Sequence, residues 1–264
     1  MEERAFETIL IEKRGKTVWI SLDRPRVHNA FNAVMIRELT AAFGAAGADP
    51  AARIVVLTGR GESFCAGADL NWMREIIRYS FEQNIQESLA IADLLQLIYT
   101  LPKPTIARVN GTAIGGGNGL FAACDIAMAS DRSRFGLSEV KIGLVPAAIS
   151  PYVIRRIGES PARELFLTGE RFDARRALEL GLVNRLAAPE ELDAQTEGLV
   201  DLLLSSGPEA IAKSKELLQK VTTMTPEQAR SYTAEVIARL RVSAEGQEGM
   251  AAFLEKRQPR WAKD

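Results

Sequence analysis

The chain has 264 residues, 47% of them hydrophobic and 25% charged, with a formal net charge of −1. This is the composition of an ordinary soluble globular protein, long enough to bury a sizeable core without staples. Its near-neutral balance gives no electrostatic footprint for a nucleic acid or a membrane surface.

Cys65 and Cys124 are the only cysteines, each among small or apolar residues, so neither a disulfide framework nor a cysteine metal site is expected. The charged amino terminus MEERAFETILIEKRG does not read as a leader. No apolar run approaches the ~18 residues of a membrane span, and a reducing, cytoplasmic compartment is expected.

In chain order, FETILIEKRGKTVWISLDRP reads as two strands around a turn at Gly15. Phe31, Met35 and Leu39 then recur at four-residue steps, the apolar stripe of an amphipathic helix. RIVVLTG has the composition of a buried strand, and FEQNIQESLAIADLLQLIYTL that of a helix. PKPTIARVNG feeds a further strand, and DIAMAS is another. The alternation predicts an α/β architecture without a solenoid repeat. After about Arg185 strand signals fade and the tail reads as helices. One of these begins at Thr225, with Pro226 at the first helical position and Gln228 closing a capping box.

Three stretches carry possible chemistry. In NGTAIGGGNGLFAACD, Gly115, Gly116 and Gly117 follow a short strand and open a helix. Bare backbone there lets N–H groups approach an anion, or lets helix and strand pack closely. The spacing matches neither a phosphate-binding P-loop nor a dinucleotide fingerprint. LTGRGESFCAGADLNWMR is a second strand-to-helix junction, and two such junctions can supply the converging donors of an oxyanion hole. In SRFGLSEVKIGLVP, Glu139 stands among Phe135, Leu137, Val140, Ile142 and Leu144. Apolar surroundings would raise its pKa and suit it to proton transfer. The alternative is a surface glutamate at a strand edge. His28, the only histidine, lies in no metal-ligand or serine–histidine pattern and is expected to bond backbone or to pack.

These stretches together resemble the enoyl-CoA hydratase/isomerase, or crotonase, family over nearly the whole chain. LDRPRVHNAFN is similar to its amino-terminal CoA-contact segment, FCAGADL to its first oxyanion loop, AIGGGNGLFAACDIAMAS to its second, and RFGLSEVKIGLVP to the segment of its catalytic glutamate. GERFDARRALELGLVNRL and GMAAFLEKRQPRW resemble later parts of the family. The resemblance implies a spiral of strand-strand-helix units over residues 1–195, and a helical trimerisation region over residues 196–264 that builds a homotrimer or a dimer of trimers. It implies that Ala68 and Gly116 donate backbone N–H groups to a thioester oxygen and that Glu139 moves the proton. Arg26, Val27, Ala66, Asp69, Leu70 and Gly115 would flank the CoA ester, and Phe253 and Lys256 its adenosine end. No metal or separate cofactor is implied, since coenzyme A is part of the acyl-CoA substrate.

Two departures bear on the reaction. Where two-glutamate hydratases of the family carry their first glutamate, this chain has Gly119. A lone glutamate suits a Δ3,Δ2-enoyl-CoA isomerase. LVPAAISPYVIRRIGE and NWMR instead look like the branch that hydrates 3-methylglutaconyl-type thioesters in leucine and terpene breakdown. Arg74 or Arg78 could pair with the second carboxylate of such a substrate. A catalytically idle CoA-binding relative is the remaining alternative.

Overall fold

The computed structural model describes residues 6–262. The first five residues of the stretch read above for a leader lie outside them. Strands β1 (Ile9–Arg14) and β2 (Thr17–Leu22) form the expected hairpin, turning at Gly15 with φ 56°. β2 continues in parallel pairing through β3 (Ile54–Gly59), β5 (Thr105–Val109), β7 (Ile126–Ser130) and β10 (Arg185–Ala187). Between these runs a second, smaller sheet, whose strands β4 (Ser63–Cys65), β6 (Thr112–Ile114) and β8 (Arg134–Gly136) are parallel and β9 (Arg171–Asp173) antiparallel. From β3 to β8 each turn of the chain places one strand in the large sheet, the next in the small sheet, and then helix. The expected spiral of strand-strand-helix units is present.

The helices are α1 (Ala33–Ala48), α2 (Leu70–Ile76), α3 (Phe81–Thr100), α4 (Gly116–Ala122), α5 (Ser150–Ile157), α6 (Glu159–Thr168) and α7 (Ala174–Glu179). The carboxy-terminal ones are α8 (Leu192–Leu204), α9 (Pro208–Lys220), α10 (Pro226–Val242) and α11 (Ala244–Leu254). α1 buries Met35, Ile36, Leu39 and Phe43, and Asn32 caps it by accepting the Met35 N–H at 3.0 Å. Every residue of β3 is buried, because a central parallel strand is covered on both faces.

One core lies between the sheets, where Phe64, Phe121, Phe135 and Phe172 pack ring against ring at centroid distances of 5.6–6.1 Å. A second cluster covers the far side of the large sheet, setting Trp19, Val56, Ile106 and Met128 against Leu192, Leu199 and Val200 of α8. The expected boundary between residues 195 and 196 falls inside α8, whose apolar face packs on this cluster.

Behind that point, Lys215 of α9 is buried against the core and reaches Asp125 at 2.6 Å. α10 starts with the predicted Thr225–Gln228 capping box and buries none of its side chains. Both cysteines are free and buried, and burial pushes each thiol up to about 12. No helix among the described residues is long and apolar enough to cross a membrane.

Candidate active site

The first loop leaves β4 at Cys65 and enters α2 at Asp69. It is pinned to the segment after the Pro25–Val27 turn. Ala66 N–H donates to His28 O at 2.9 Å, Phe31 N–H to Gly67 O at 2.8 Å, and Asp69 N–H to Phe31 O at 2.9 Å. These bonds make Phe31 and Ala68 a parallel bridge. Strand alternation then turns the Ala68 N–H to the opposite side, away from Phe31. Gly67 holds φ 92°, and a Cβ there would lie 3.0 Å from the carbonyl oxygen of Ile114, the last residue of β6. The first loop thus leans directly on the second.

In the second loop, Gly115 adopts φ 51° and donates its N–H to Gly136 O at 2.9 Å. Gly116 opens α4, so its N–H has no acceptor within the helix. α4 has only seven residues, and its exposed amides matter more than any long-range dipole. Close approach explains the glycines as well as an anion does. A Cβ on Gly116 would lie 2.5 Å from the Phe31 ring, and one on Gly117 would strike the Cys65 carbonyl. Tight packing of protein on protein accounts for the triplet, and the Gly116 amide at the start of α4 has no partner within the helix.

Glu139 follows β8 and starts a 3-10 turn, Glu139–Ile142. Its Oε1 lies 3.1 Å from where a Gly115 Cβ would stand, so the carboxylate faces the turn that opens α4. Its Oε2 is buried without a hydrogen-bond partner. Burial pushes the carboxyl above the usual glutamate range, against the smaller effect of a hydrogen bond from its own backbone. The source of that burial differs from the expectation. Phe135 and Leu137 are buried, whereas Val140, Ile142 and Leu144 are exposed, because the 3-10 turn carries them outward. Glu139 is desolvated from the α4 side instead.

Gly119 lies inside α4, and a Cβ on it would collide with Ile149 Cγ2 and stand 2.8 Å from Ile149 Cβ. The space beside α4 that a side chain at 119 would need belongs to Ile149.

The other candidates are scattered around this centre. Arg26 and Val27 are exposed on the Pro25–Val27 turn, Ala66 is half-buried, and Leu70 is exposed. Asp69 is buried, caps α2 through Asn71 and Trp72, and pairs with Arg24 at 2.8 Å. Burial alone would raise its pKa, but the bonds from Asn71, Arg24 and Trp72 outweigh it and hold the carboxyl below its usual range. Its side chain is thus committed to holding the loop. Arg74 and Arg78 are exposed, and Arg74 donates to Asn71 at 2.6 Å. Phe253 and Lys256 stand exposed at the end of α11. His28 contributes its carbonyl, as expected, and its Nδ1 also lies 3.0 Å from Ser63 Oγ, a pairing the sequence did not signal.

Sequence reasoning missed Asn118. Its buried amide Nδ2 lies 2.9 Å from Gly136 O and 3.2 Å from both Gly115 O and Ala113 O, tying the glycine turn to the strand that leads to Glu139. It missed Arg24 as well. Neither position carries a local pattern.

Backbone amides at two strand-to-helix junctions and a half-buried carboxylate can stabilise an anionic oxygen and move a proton beside it. Residues 12–264 match the enoyl-CoA hydratase/isomerase family. The chain belongs to that family. Among curated proteins it is 39% identical over 249 residues to a putative enoyl-CoA hydratase of Thermus thermophilus, covering 94% of this chain and 98% of the relative. It is 33% identical to a crotonyl-CoA hydratase of Syntrophomonas wolfei, over 96% and 97% of the two chains. Among solved structures, an enoyl-CoA hydratase from Shewanella pealeana superposes with a TM-score of 0.95 at 42% identity, over 98% of this chain and 97% of that one. This family is that of the crotonase fold, and the two sheets with carboxy-terminal helices are its architecture. The likeness reaches the family and its enzymes; it does not single out the 3-methylglutaconyl branch.

Proposed function

We propose that the protein hydrates an α,β-unsaturated acyl-CoA thioester, with Ala68 and Gly116 as oxyanion donors and Glu139 as its one proton carrier. The observation that carries this reading is the placement of the Glu139 carboxylate against Gly115, next to the bare Gly116 amide. Water attacks the β-carbon and gives a proton to ionised Glu139. The C=C electrons move to the α-carbon and thioester oxygen, where the two N–H groups hold the developing charge. Glu139 then returns the proton to the α-carbon, and the sum is one added water. A pKa raised towards the working pH serves both halves of this cycle.

The substrate we favour is a branched 3-methylglutaconyl-type thioester. Support comes from the pairing of Gly119 with Ile149 within LVPAAISPYV, which leaves no second carboxylate to share the work on an unactivated straight chain. The exposed Arg74 and Arg78 are the candidates for the distal carboxylate. The same absence supports a second reading, Δ3,Δ2-isomerisation, in which Glu139 takes a proton from C2 and returns one at C4. An idle CoA-binding relative is disfavoured, since a buried, unpartnered carboxylate beside an oxyanion turn has no structural use.

A panel of 3-methylglutaconyl-, crotonyl- and 3-enoyl-CoA with mass-resolved products decides the matter. The expected order is 3-methylglutaconyl-CoA above crotonyl-CoA in hydration, with weak isomerisation. Faster conversion of 3-enoyl-CoA to 2-enoyl-CoA than any gain of water would establish the isomerase instead.

The assembly we favour is a homotrimer or dimer of trimers, with Phe253 and Lys256 reaching a neighbour's CoA. Exposed Leu218, Val242, Phe253 and Leu254 on the tail, and Val140 to Val145 beside the site, leave apolar surface that one subunit does not cover. A monomeric mass by light scattering at micromolar protein would remove this reading.

A further inference from the structure

We infer that Ile149 is a specificity-determining residue of the acyl site, an apolar wall beside Glu139 that selects the substituent on the β-carbon. The inference rests on the reading that the thioester oxygen sits at Ala68 and Gly116. Gly115, at φ 51°, is the non-helical cap of α4, and Gly119 lies about one turn into the helix. Above the first stands the Glu139 carboxylate, and above the second the Ile149 side chain. An acyl chain anchored at the Gly116 amide and serviced by Glu139 therefore runs past Ile149 within its first few carbons.

The wall is fixed. Ile149 is buried, branched at Cβ and stiff in χ1. Its carbonyl accepts from Tyr152 N–H and Val153 N–H, both at 3.1 Å, which holds its main chain to α5. Leu95 of α3 backs the same spot, 3.4 Å from the position a Gly119 Cβ would take. Neither side chain offers a polar atom. A hydroxyl or carboxylate on a β-substituent would lose its water there without a partner, whereas an alkyl branch would be covered. The β-substituent that faces Ile149 is accordingly an alkyl group, as the 3-methyl of a 3-methylglutaconyl-type thioester is, and not its carboxylate arm.

The test compares Ile149→Val and Ile149→Ala with the natural protein, on crotonyl-CoA, 3-methylcrotonyl-CoA and a 3-propyl-2-enoyl-CoA. Shortening the wall makes room, so the ratio of kcat/KM for the bulkier 3-alkyl ester to that for crotonyl-CoA should rise about tenfold or more in Ile149→Ala, the scale at which apolar pockets discriminate. Ile149→Val should move it the same way by less, and serves if the alanine variant does not fold. An equal fall for all three esters in a folded variant would make Ile149 merely structural and overturn the inference. Competition binding of the saturated esters reads the same ratio without turnover. If the natural protein turns over no thioester, the proposed function fails, while an unchanged binding ratio sinks the role of Ile149 separately.

Discussion

Gly119→Ala is a substitution for which two effects oppose each other and the structure decides the sign. In an open helix the change should stabilise by about 1 kcal/mol, since alanine is the better helix former. Here the new methyl would collide with Ile149 Cγ2 and stand 2.8 Å from Ile149 Cβ. Cβ is bonded to the main chain, so no rotamer takes it away, and Ile149 can retreat only if α5 moves. Overpacking of this kind costs about 1–3 kcal/mol, occasionally more. The net expectation is a loss of up to about 2 kcal/mol, or a Tm lower by up to about 5 °C for a chain of this size. Thermal and urea unfolding followed by circular dichroism, at one fixed protein concentration, measure it. In an Ile149→Ala background the same Gly119→Ala change should be neutral or stabilising, because the obstruction is gone and only the helix preference remains. The coupling between the sites should then be about 1–3 kcal/mol. A raised Tm for Gly119→Ala alone would refute the claim that Ile149 fills this space.

Three further outcomes follow from the same geometry. Asn118→Leu removes the amide that ties Gly115 and Ala113 to Gly136, so kcat should fall about tenfold or more through misplacement of the oxyanion turn relative to Glu139, with affinity for a saturated acyl-CoA changed much less. A folded Asn118→Leu protein with both constants unchanged would show that the tie is dispensable. Because Glu139 must be ionised to accept a proton and burial raises its pKa, kcat/KM should fall on the acid side at a pH above the ordinary glutamate value of about 4.3. A pKa raised by folding contributes stability that is fully present below the unfolded value and lost as pH rises through the folded one. Glu139→Gln should therefore leave the Tm at neutral pH unchanged or higher, and a clearly lower Tm would contradict the buried-carboxylate account.

The longer elements could be read from sequence because their residues carry the pattern themselves. The β1–β2 hairpin, the buried run of β3 and the Thr225–Gln228 capping box are local features. The three-residue strands β4, β6 and β8 are too short to show a period, and their positions are dictated by partners far along the chain. The site was legible in the same uneven way. Glycine-rich turns and Glu139 stood out by composition, but three of the five apolar neighbours first credited with burying Glu139, Val140, Ile142 and Leu144, point to solvent. The contacts that shape the centre, Arg24 with Asp69, Asn118 with Gly136 and Ile149 with Gly119, join residues from separate turns of the spiral. No spacing rule along the chain encodes such pairs. Only the fold brings them together.

The central claim is that Glu139 is the proton carrier of an oxyanion-assisted reaction, and Glu139→Gln tests it most directly. The glutamine keeps the shape of the side chain and removes its capacity to accept and return a proton. Single-turnover rates on a 2-enoyl-CoA, measured beside the dissociation constant of a saturated acyl-CoA, separate chemistry from binding. The account predicts unchanged binding and a rate lower by about 10²–10⁴-fold, the usual contribution of a positioned acid–base group. A folded Glu139→Gln protein that adds water at nearly the natural rate would contradict it.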